Sequence, residues 1–475
     1  MKEFGKISEK IISELKNIVG ERCVWTTNEK RLSCSRDQTS ALKENEYYIP
    51  EVVVAPADAE QISKVLKLAN KYIIPVTPRG GGTGLSGGSL PVYGGIVITD
   101  ERMNKIIEID SKNLVAVVQP GVITGDINTA AAKVGLWYAG YPMSVDICHI
   151  GGNIAENSGG GMAVKYGVTM RYVLGLEFVT PTGEILELGG KLMKNVTGYN
   201  LKEFFIGSEG TLGIATKITL RLQPLPKNKV DLLVMFHTTE EAIAAVPKIV
   251  TEGGILPSAI EYMDKYTYKA SCDFLNEELP INDVGAVLLI ELDGTREQSV
   301  ELDADRTGNI CSECGAMEIY VADNATTRER VWSVRLHIDE ALRVTDPTHT
   351  DEDTVVPVSE IPKFAEGIEN IAKKHGVKIT NFGHAGDGNL HPTISRKEGL
   401  SDKEWDDLER KIEWDIFNLT YSLGGVISGE HGIGWKRTEF FAGLCPAPEL
   451  SIMKSIKKLL DPNGIMNPGK VFSDK

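Results

Sequence analysis

Fourteen consecutive residues restrict this chain more than any other stretch: Pro78-Arg79-Gly80-Gly81-Gly82-Thr83-Gly84-Leu85-Ser86-Gly87-Gly88-Ser89-Leu90-Pro91 sets six glycines between two prolines. Such a run has too few side chains for a helix or a core, but lets successive backbone N–H groups converge on an anion. It contains a literal G-x-G-x-x-G, Gly82-Thr83-Gly84-Leu85-Ser86-Gly87. The dinucleotide fingerprint needs that loop to open a helix whose N-terminus meets the pyrophosphate. Here Gly88, Pro91 and Gly94-Gly95 follow, and then an apolar strand from Ile96, so a Rossmann loop is excluded. A P-loop fails as well, because no Gly-Lys-Ser/Thr follows. A flexible linker is seldom framed by two prolines and two apolar strands. A second block, Gly151-Gly152-Asn153-Ile154-Ala155-Glu156-Asn157-Ser158-Gly159-Gly160-Gly161, argues further against one. Together the blocks read as a phosphate cradle of a different build.

The surroundings of the first block are regular. Phe4, Ile7, Ile11, Ile12, Leu15 and Val19 have helical spacing, which predicts an amphipathic helix within residues 1–20. A strand at 52–54, Asp58 as N-cap with Gln61 three residues on, an apolar face of Ile62, Val65, Leu66 and Ala69, and a strand at 73–76 predict a βαβ unit with a parallel strand pair. Further on come a strand at 115–118, a helix near 125–134, a hairpin of 173–179 and 185–188 around Pro181-Thr182-Gly183, and a long strand at 214–222. Pro224-Leu225-Pro226-Lys227-Asn228 marks a boundary. Beyond it, strands at 232–236, 287–291 and 317–321 alternate with helices at 240–250, 360–375 and 402–423, which predicts an α+β domain whose sheet is covered on one side. The expected layout is a helical segment at 1–49, a nucleotide-binding domain at 50–225, a substrate or cap domain at 226–440 and a C-terminal segment at 441–475.

A length of 475 residues suits two or three such domains. With 66 acidic against 51 basic residues the net charge is −15, which repels phosphate backbones and excludes a nucleic-acid partner. No run approaches the ~18 apolar residues of a spanning helix, and no apolar leader follows Met1. Seven cysteines, an odd number, suit a reducing compartment, so a cytoplasmic location is expected. Cys311-Ser312-Glu313-Cys314 is a lone C-x-x-C without a partner pair and reads as incidental.

Several separate motifs occur in one order: 78–91, His149-Ile150-Gly151-Gly152-Asn153, Lys194-Asn195-Val196-Thr197-Gly198-Tyr199, and Gly207-Ser208-Glu209-Gly210-Thr211-Leu212-Gly213-Ile214. From about residue 50 to 470 the chain resembles the FAD-dependent oxidoreductases of the vanillyl-alcohol oxidase and p-cresol methylhydroxylase group. Within it, the resemblance is to the branch of D-lactate dehydrogenase, glycolate oxidase and D-2-hydroxyglutarate dehydrogenase. The resemblance implies an α+β fold, with a two-part FAD-binding domain, an α+β cap and a C-terminal segment returning to the flavin. It implies FAD held by Pro78, Arg79, Gly80, Gly81, Gly82, Thr83, Gly84, Ser86, Gly87, Ser144, Ile150, Gly151, Asn153, Gly160, Tyr166, Gly167, Glu209, Gly210, Ile214 and Asn467. Some relatives attach the flavin through a histidine of the first loop; 78–91 has none, so the FAD is expected to be non-covalent.

Four of the eight histidines, His375, His384, His391 and His431, fall in one short span, in the setting Gly383-His384-Ala385-Gly386-Asp387-Gly388-Asn389-Leu390-His391 and Gly429-Glu430-His431-Gly432. Two imidazoles and a carboxylate suit a divalent metal with open positions; the plain alternative is histidines hydrogen-bonded in polar turns. The resemblance implies a metal (Zn, Mn or Fe) on His384, His391 and Glu430, with His431 as base and Arg335 on the substrate carboxylate. Residue types alone equally allow Arg335 a surface ion pair with Glu329 or Asp339. D-2-hydroxyglutarate members carry a further basic residue where this chain has Asp351-Glu352-Asp353, which favours a small monocarboxylate, D-lactate first and glycolate next. The expected acceptor is a protein such as an electron-transferring flavoprotein, or a quinone. Alternatives are an electron-transfer module without its own substrate chemistry, a D-2-hydroxyglutarate-type enzyme, or one acting on alcohols or phenols.

Overall fold

In the computed structural model, which describes residues 3–43, 45–279 and 282–472, the short β-branched runs become buried inner strands. The chain forms two units. The first comprises Met1–Gly159, Val168–Leu225 and Glu430–Lys475; the second comprises Gly160–Gly167 and Pro226–Gly429.

In the first unit, four strands lie in the order Val24–Trp25, Val52–Val54, Ile96–Thr99, Val76–Arg79. The expected parallel pair is split. Val52–Val54 and Val76–Arg79 each pair in parallel with Ile96–Thr99, which lies between them. The crossover helix Ala59–Tyr72 leaves one strand's width open, and the strand that follows the glycine loop fills it. That loop therefore leaves the carboxyl end of a parallel strand, where open α/β sheets bind ligands. Asp58 caps the helix by accepting from Gln61 N at 2.8 Å, and Ile62, Val65, Leu66 and Ala69 are buried as their spacing requires. The opening helix is Glu9–Val19 with Ser8 as its cap. Its apolar face shares one core with Val52, Val54, Val76 and, from the far end of the chain, Ile465 and Met466. Val76 N donates to Ile465 O and Asn467 N to Val76 O.

A second, antiparallel sheet of this unit runs Ile106–Asp110, Val115–Val118, Ile214–Arg221, Val173–Val179, Ile185–Gly189. The last two strands form the hairpin expected around Gly183. The second glycine block contributes a short helix, Ile150–Glu156, which ends at Asn157 in the left-handed conformation.

The second unit is built on a mixed-order antiparallel sheet: Glu318–Ala322, Asn228–Phe236, Ala286–Gly294, Ala259–Asp264, Ile379–His384, Asn389–Ser395, His349–Asp351, with Thr354–Val355 also paired to Asn389–Ser395. The sheet is covered on both faces, which corrects the one-sided expectation. Leu233, Met235, Val287 and Leu289 pack with Tyr268, Cys272, Val331 and Val334 of the helices Lys265–Leu275 and Ala325–Leu336. Leu232, Val234, Leu288 and Ile290, which alternate with them, are equally buried, and Thr239–Thr251 and Glu297–Glu313 pack on the same strands. Unbroken apolar runs at 232–235 and 287–290 carry this signal, since a half-solvated strand would alternate.

Candidate active site

The first unit holds a cleft of about 300 Å³ at the glycine loop. Of the residues expected to hold FAD, Pro78, Arg79, Gly80, Gly81, Gly82, Thr83, Gly84, Ser144, Gly151, Asn153, Glu209, Gly210, Ile214 and Asn467 line it. Ser86, Gly87 and Ile150 do not. Ser86 O instead accepts from the N–H groups of Trp435 and Lys436, and Ile150 is core. Gly160, Tyr166 and Gly167 belong to the second unit, where the Tyr166 hydroxyl donates to Asp293 Oδ2 at 2.8 Å. The 194–199 motif is no part of the cleft lining, and Val196 and Tyr199 stand 98% and 91% exposed.

The glycines serve two physical ends. A Cβ on Gly81 would lie 2.9 Å from Ile147 O, so the backbone there is already in contact. At Gly152 a Cβ would meet no protein atom within 4 Å, so that position opens onto the cleft. The Arg79 guanidinium packs over Gly82, which takes φ +70°, and donates through Nη1 to Ser89 Oγ at 3.1 Å. Two lining residues escaped the sequence reading as a pair: His149 Nδ1 lies 2.8 Å from Asp100 Oδ1, and that hydrogen bond raises the imidazole pKa. Glu430 and His431 also line the cleft, with His431 Nε2 3.4 Å from Glu430 Oε1. Near them two carboxyls are buried, Glu156 and Glu209. Burial raises both pKa values, and the negative charge of Glu209 adds to the rise at Glu156.

The second unit gathers the other expected residues. His384 ends one strand, His391 stands in the next, and their rings meet edge to face at 5.4 Å and 88°. His384 Nδ1 lies 2.7 Å from Glu261 Oε1, and Glu261 Oε2 lies 2.7 Å from Arg335 Nε. A carboxylate paired with a guanidinium only accepts, so Nδ1 carries the proton and Nε2 of His384 is the donor atom a metal would use. Arg335 is buried over the ring of Phe382. Neither ion pair considered for it forms: its partner is Glu261, and Asp339 pairs with Arg343. Asp353 accepts from Asn389 Nδ2 at 2.7 Å, Ser428 Oγ at 2.7 Å and Gly429 N at 3.0 Å, and lies 3.8 Å from His391 Nδ1. Gly161 borders this array, since a Cβ there would sit 2.5 Å from Glu261 Oε1.

The family described as FAD linked oxidases, C-terminal domain, matches residues 225–471, and an FAD binding domain family matches 50–189. The glycolate oxidase subunit GlcD of Bacillus subtilis is 39% identical over 98% of this chain and 97% of its own length. This chain belongs to the FAD-linked oxidases. The D-lactate dehydrogenase of Anaerostipes hadrus is 35% identical, covering 99% and 98%. The structure of p-cresol methylhydroxylase with substrate bound superposes with a TM-score of 0.79 at 18% identity, over 98% of this chain and 96% of that one, a likeness of fold.

In this FAD-linked oxidase the cleft residues fit the cofactor. The wall is glycine backbone on two sides, Gly152 leaves its Cβ volume open, and Arg79 supplies a fixed positive charge. Glu261 goes unnoticed in the sequence, and Asp353 enters only within the acidic run 351–353, without its link to His391 and Gly429. Their signal was an acidic residue inside an otherwise apolar strand, Ala259–Asp264, and one in an acidic run beside a strand end. No helix among the described residues is long and apolar enough to cross a membrane.

Proposed function

We propose that this flavoprotein oxidises a small D-2-hydroxy acid, D-lactate first and glycolate next, to the 2-oxo acid, and passes the electrons to a protein such as an electron-transferring flavoprotein, or to a quinone. The observation that carries the reading is the buried array of the second unit: a histidine locked in one tautomer by Glu261, a second histidine at right angles, and a buried arginine. The names of the relatives, glycolate oxidase and D-lactate dehydrogenase, support it.

Non-covalent FAD, when bound, supplies the hydride acceptor. His384 and His391 with Glu430 would hold a divalent metal (Zn, Mn or Fe), which would supply a Lewis acid for the hydroxyl group. The donor set fits such an ion, because the Glu261 carboxylate holds Nδ1 of His384, the arrangement by which a carboxylate behind a metal-bound histidine fixes its ring. Asp353 fixes Ser428 and Gly429, and Glu430 is the next residue of the chain. His431 takes the hydroxyl proton as general base, a role suited to an imidazole near neutral pH. Arg335 pairs through Nε with Glu261, and its terminal nitrogens would hold the substrate carboxylate as a fork.

The test is anaerobic titration of the FAD-loaded protein with D- and L-lactate, glycolate, D-2-hydroxyglutarate and a phenol. D-lactate is expected to bleach the flavin fastest. Bleaching by none of the acids would leave an electron-transfer module, fastest bleaching by D-2-hydroxyglutarate would move the substrate class to dicarboxylates, and preference for the phenol would remove the role given to Arg335.

A further inference from the structure

Glu209 lines the cleft by position, yet its carboxylate is turned onto the chain. It accepts from two successive backbone N–H groups, Ile433 at 2.8 Å and Gly434 at 2.5 Å. These amides lie two and three residues after His431. Glu209 is itself anchored on both sides of its own peptide: its N–H donates to Ala155 O, and its carbonyl accepts from Asn467 Nδ2 at 2.8 Å. The residue takes φ +51°, a left-handed conformation that disfavours a residue with a Cβ and that here accompanies a side chain turned onto the 432–434 segment.

Gly432, between His431 and the clamped amides, has φ +81°, and a Cβ on it would lie 2.3 Å from Glu156 Oε2 and 3.1 Å from Glu209 Oε1. Both buried carboxyls therefore bear on this one glycine. The fully buried Arg437 closes the turn from its other end, with Nη1 donating to Gly432 O at 3.1 Å. A flexible turn would leave the neighbouring imidazole free to swing. Anchors on the 432–434 backbone, these three together with the N–H groups of Arg437 and Val471 donating to Ile433 O and Gly434 O, remove that freedom, and a misplacement of about 1 Å is enough to cost on the order of 10²-fold in rate.

We propose that Glu209 is the positioning residue for His431: its carboxylate clamps the 432–434 backbone and so fixes the imidazole at the cleft wall. The proposal rests on the reading of His431 as the base.

The test is a double-mutant cycle on the FAD-loaded enzyme, with anaerobic flavin reduction by D-lactate followed at saturating and subsaturating concentrations. Glu209→Gln, which makes one accepted N–H contact where the carboxylate makes two, is expected to retain FAD, keep half-saturating D-lactate within about 2-fold and slow flavin reduction by ~10-fold or more. His431→Asn alone is expected to slow it by ~10²–10⁴-fold. The double variant should be no slower than His431→Asn within about 2-fold, because the clamp has nothing left to position. Gly432→Ala, run through the same cycle, should show the same loss of effect and carries the test if Glu209→Gln loses its flavin. Multiplicative losses in both cycles, or a wild-type rate in Glu209→Gln, would overturn the proposal and leave Glu209 a fold residue. A wild-type rate in His431→Asn would instead overturn the base assignment.

Discussion

At the residue scale, charges that matter to the cleft are set by single partners. Asp100 holds the His149 imidazole by a 2.8 Å hydrogen bond, and this raises its pKa in the folded chain. A histidine with a raised folded pKa adds stability that is complete below its unfolded value near 6.5 and is lost as pH climbs through the folded value. Thermal unfolding followed between about pH 6 and pH 8 should therefore show a decline in wild type that His149→Gln flattens; equal slopes would show that the pair contributes no linkage. Legibility at this scale followed sequence distance. His384 and His391 stand either side of one turn and are plain from their spacing, whereas Glu261, which orients His384, is 123 positions away. Arg335 was recognisable as an arginine with two candidate roles, but its burial depends on Phe382 and Glu261, which no local pattern reveals.

At the element scale, the two glycine blocks behave differently although they read alike. Gly81 is a glycine because Ile147 O is already there, so Gly81→Ala should lower the stability of the flavin-free protein by about 1–3 kcal/mol, as overpacking against backbone does. Gly152→Ala should not lower that stability, and should raise it by up to about 1 kcal/mol as Ala for Gly in a helix does, while weakening FAD binding by ~10-fold or more, since its methyl would enter the cleft. Urea unfolding of the apoprotein and flavin titration of the two variants separate these outcomes, and normal FAD affinity in Gly152→Ala would remove the second block from the cofactor wall. Helix positions were legible where cap and apolar spacing are local, as at Asp58, and were missed at Lys265–Leu275 and Glu297–Glu313. Strand order was not: the insertion of Ile96–Thr99 between Val52–Val54 and Val76–Arg79 is decided by which strand fills a gap in the sheet, and the strands' own residues are interchangeable in kind. The helix Ile150–Glu156 was hidden by its glycines, which carry low helix propensity.

At the scale of the whole molecule, each unit closes a core of its own, one around Val52, Val76 and Met466, the other around Leu233, Met263 and Val287. FAD in about 100-fold excess over its dissociation constant adds ~2.7 kcal/mol to whatever folding it is linked to. Amide hydrogen exchange should then slow most in Val76–Arg79 and Ile96–Thr99, and less in Asn228–Phe236; equal slowing in both would place the linkage in the second unit as well. The bond between Val76 and the 465–467 segment has an outcome in the cell. A ribosome delivers Val76 almost 390 residues before its partner, at roughly 5–20 residues per second. The flavin unit thus waits for tens of seconds with one side of its sheet unsealed, and the 226–429 stretch has all its strands in hand about 2–8 s before residues 465–467 emerge, so translation imposes an order of maturation in which the cofactor-binding half is finished last.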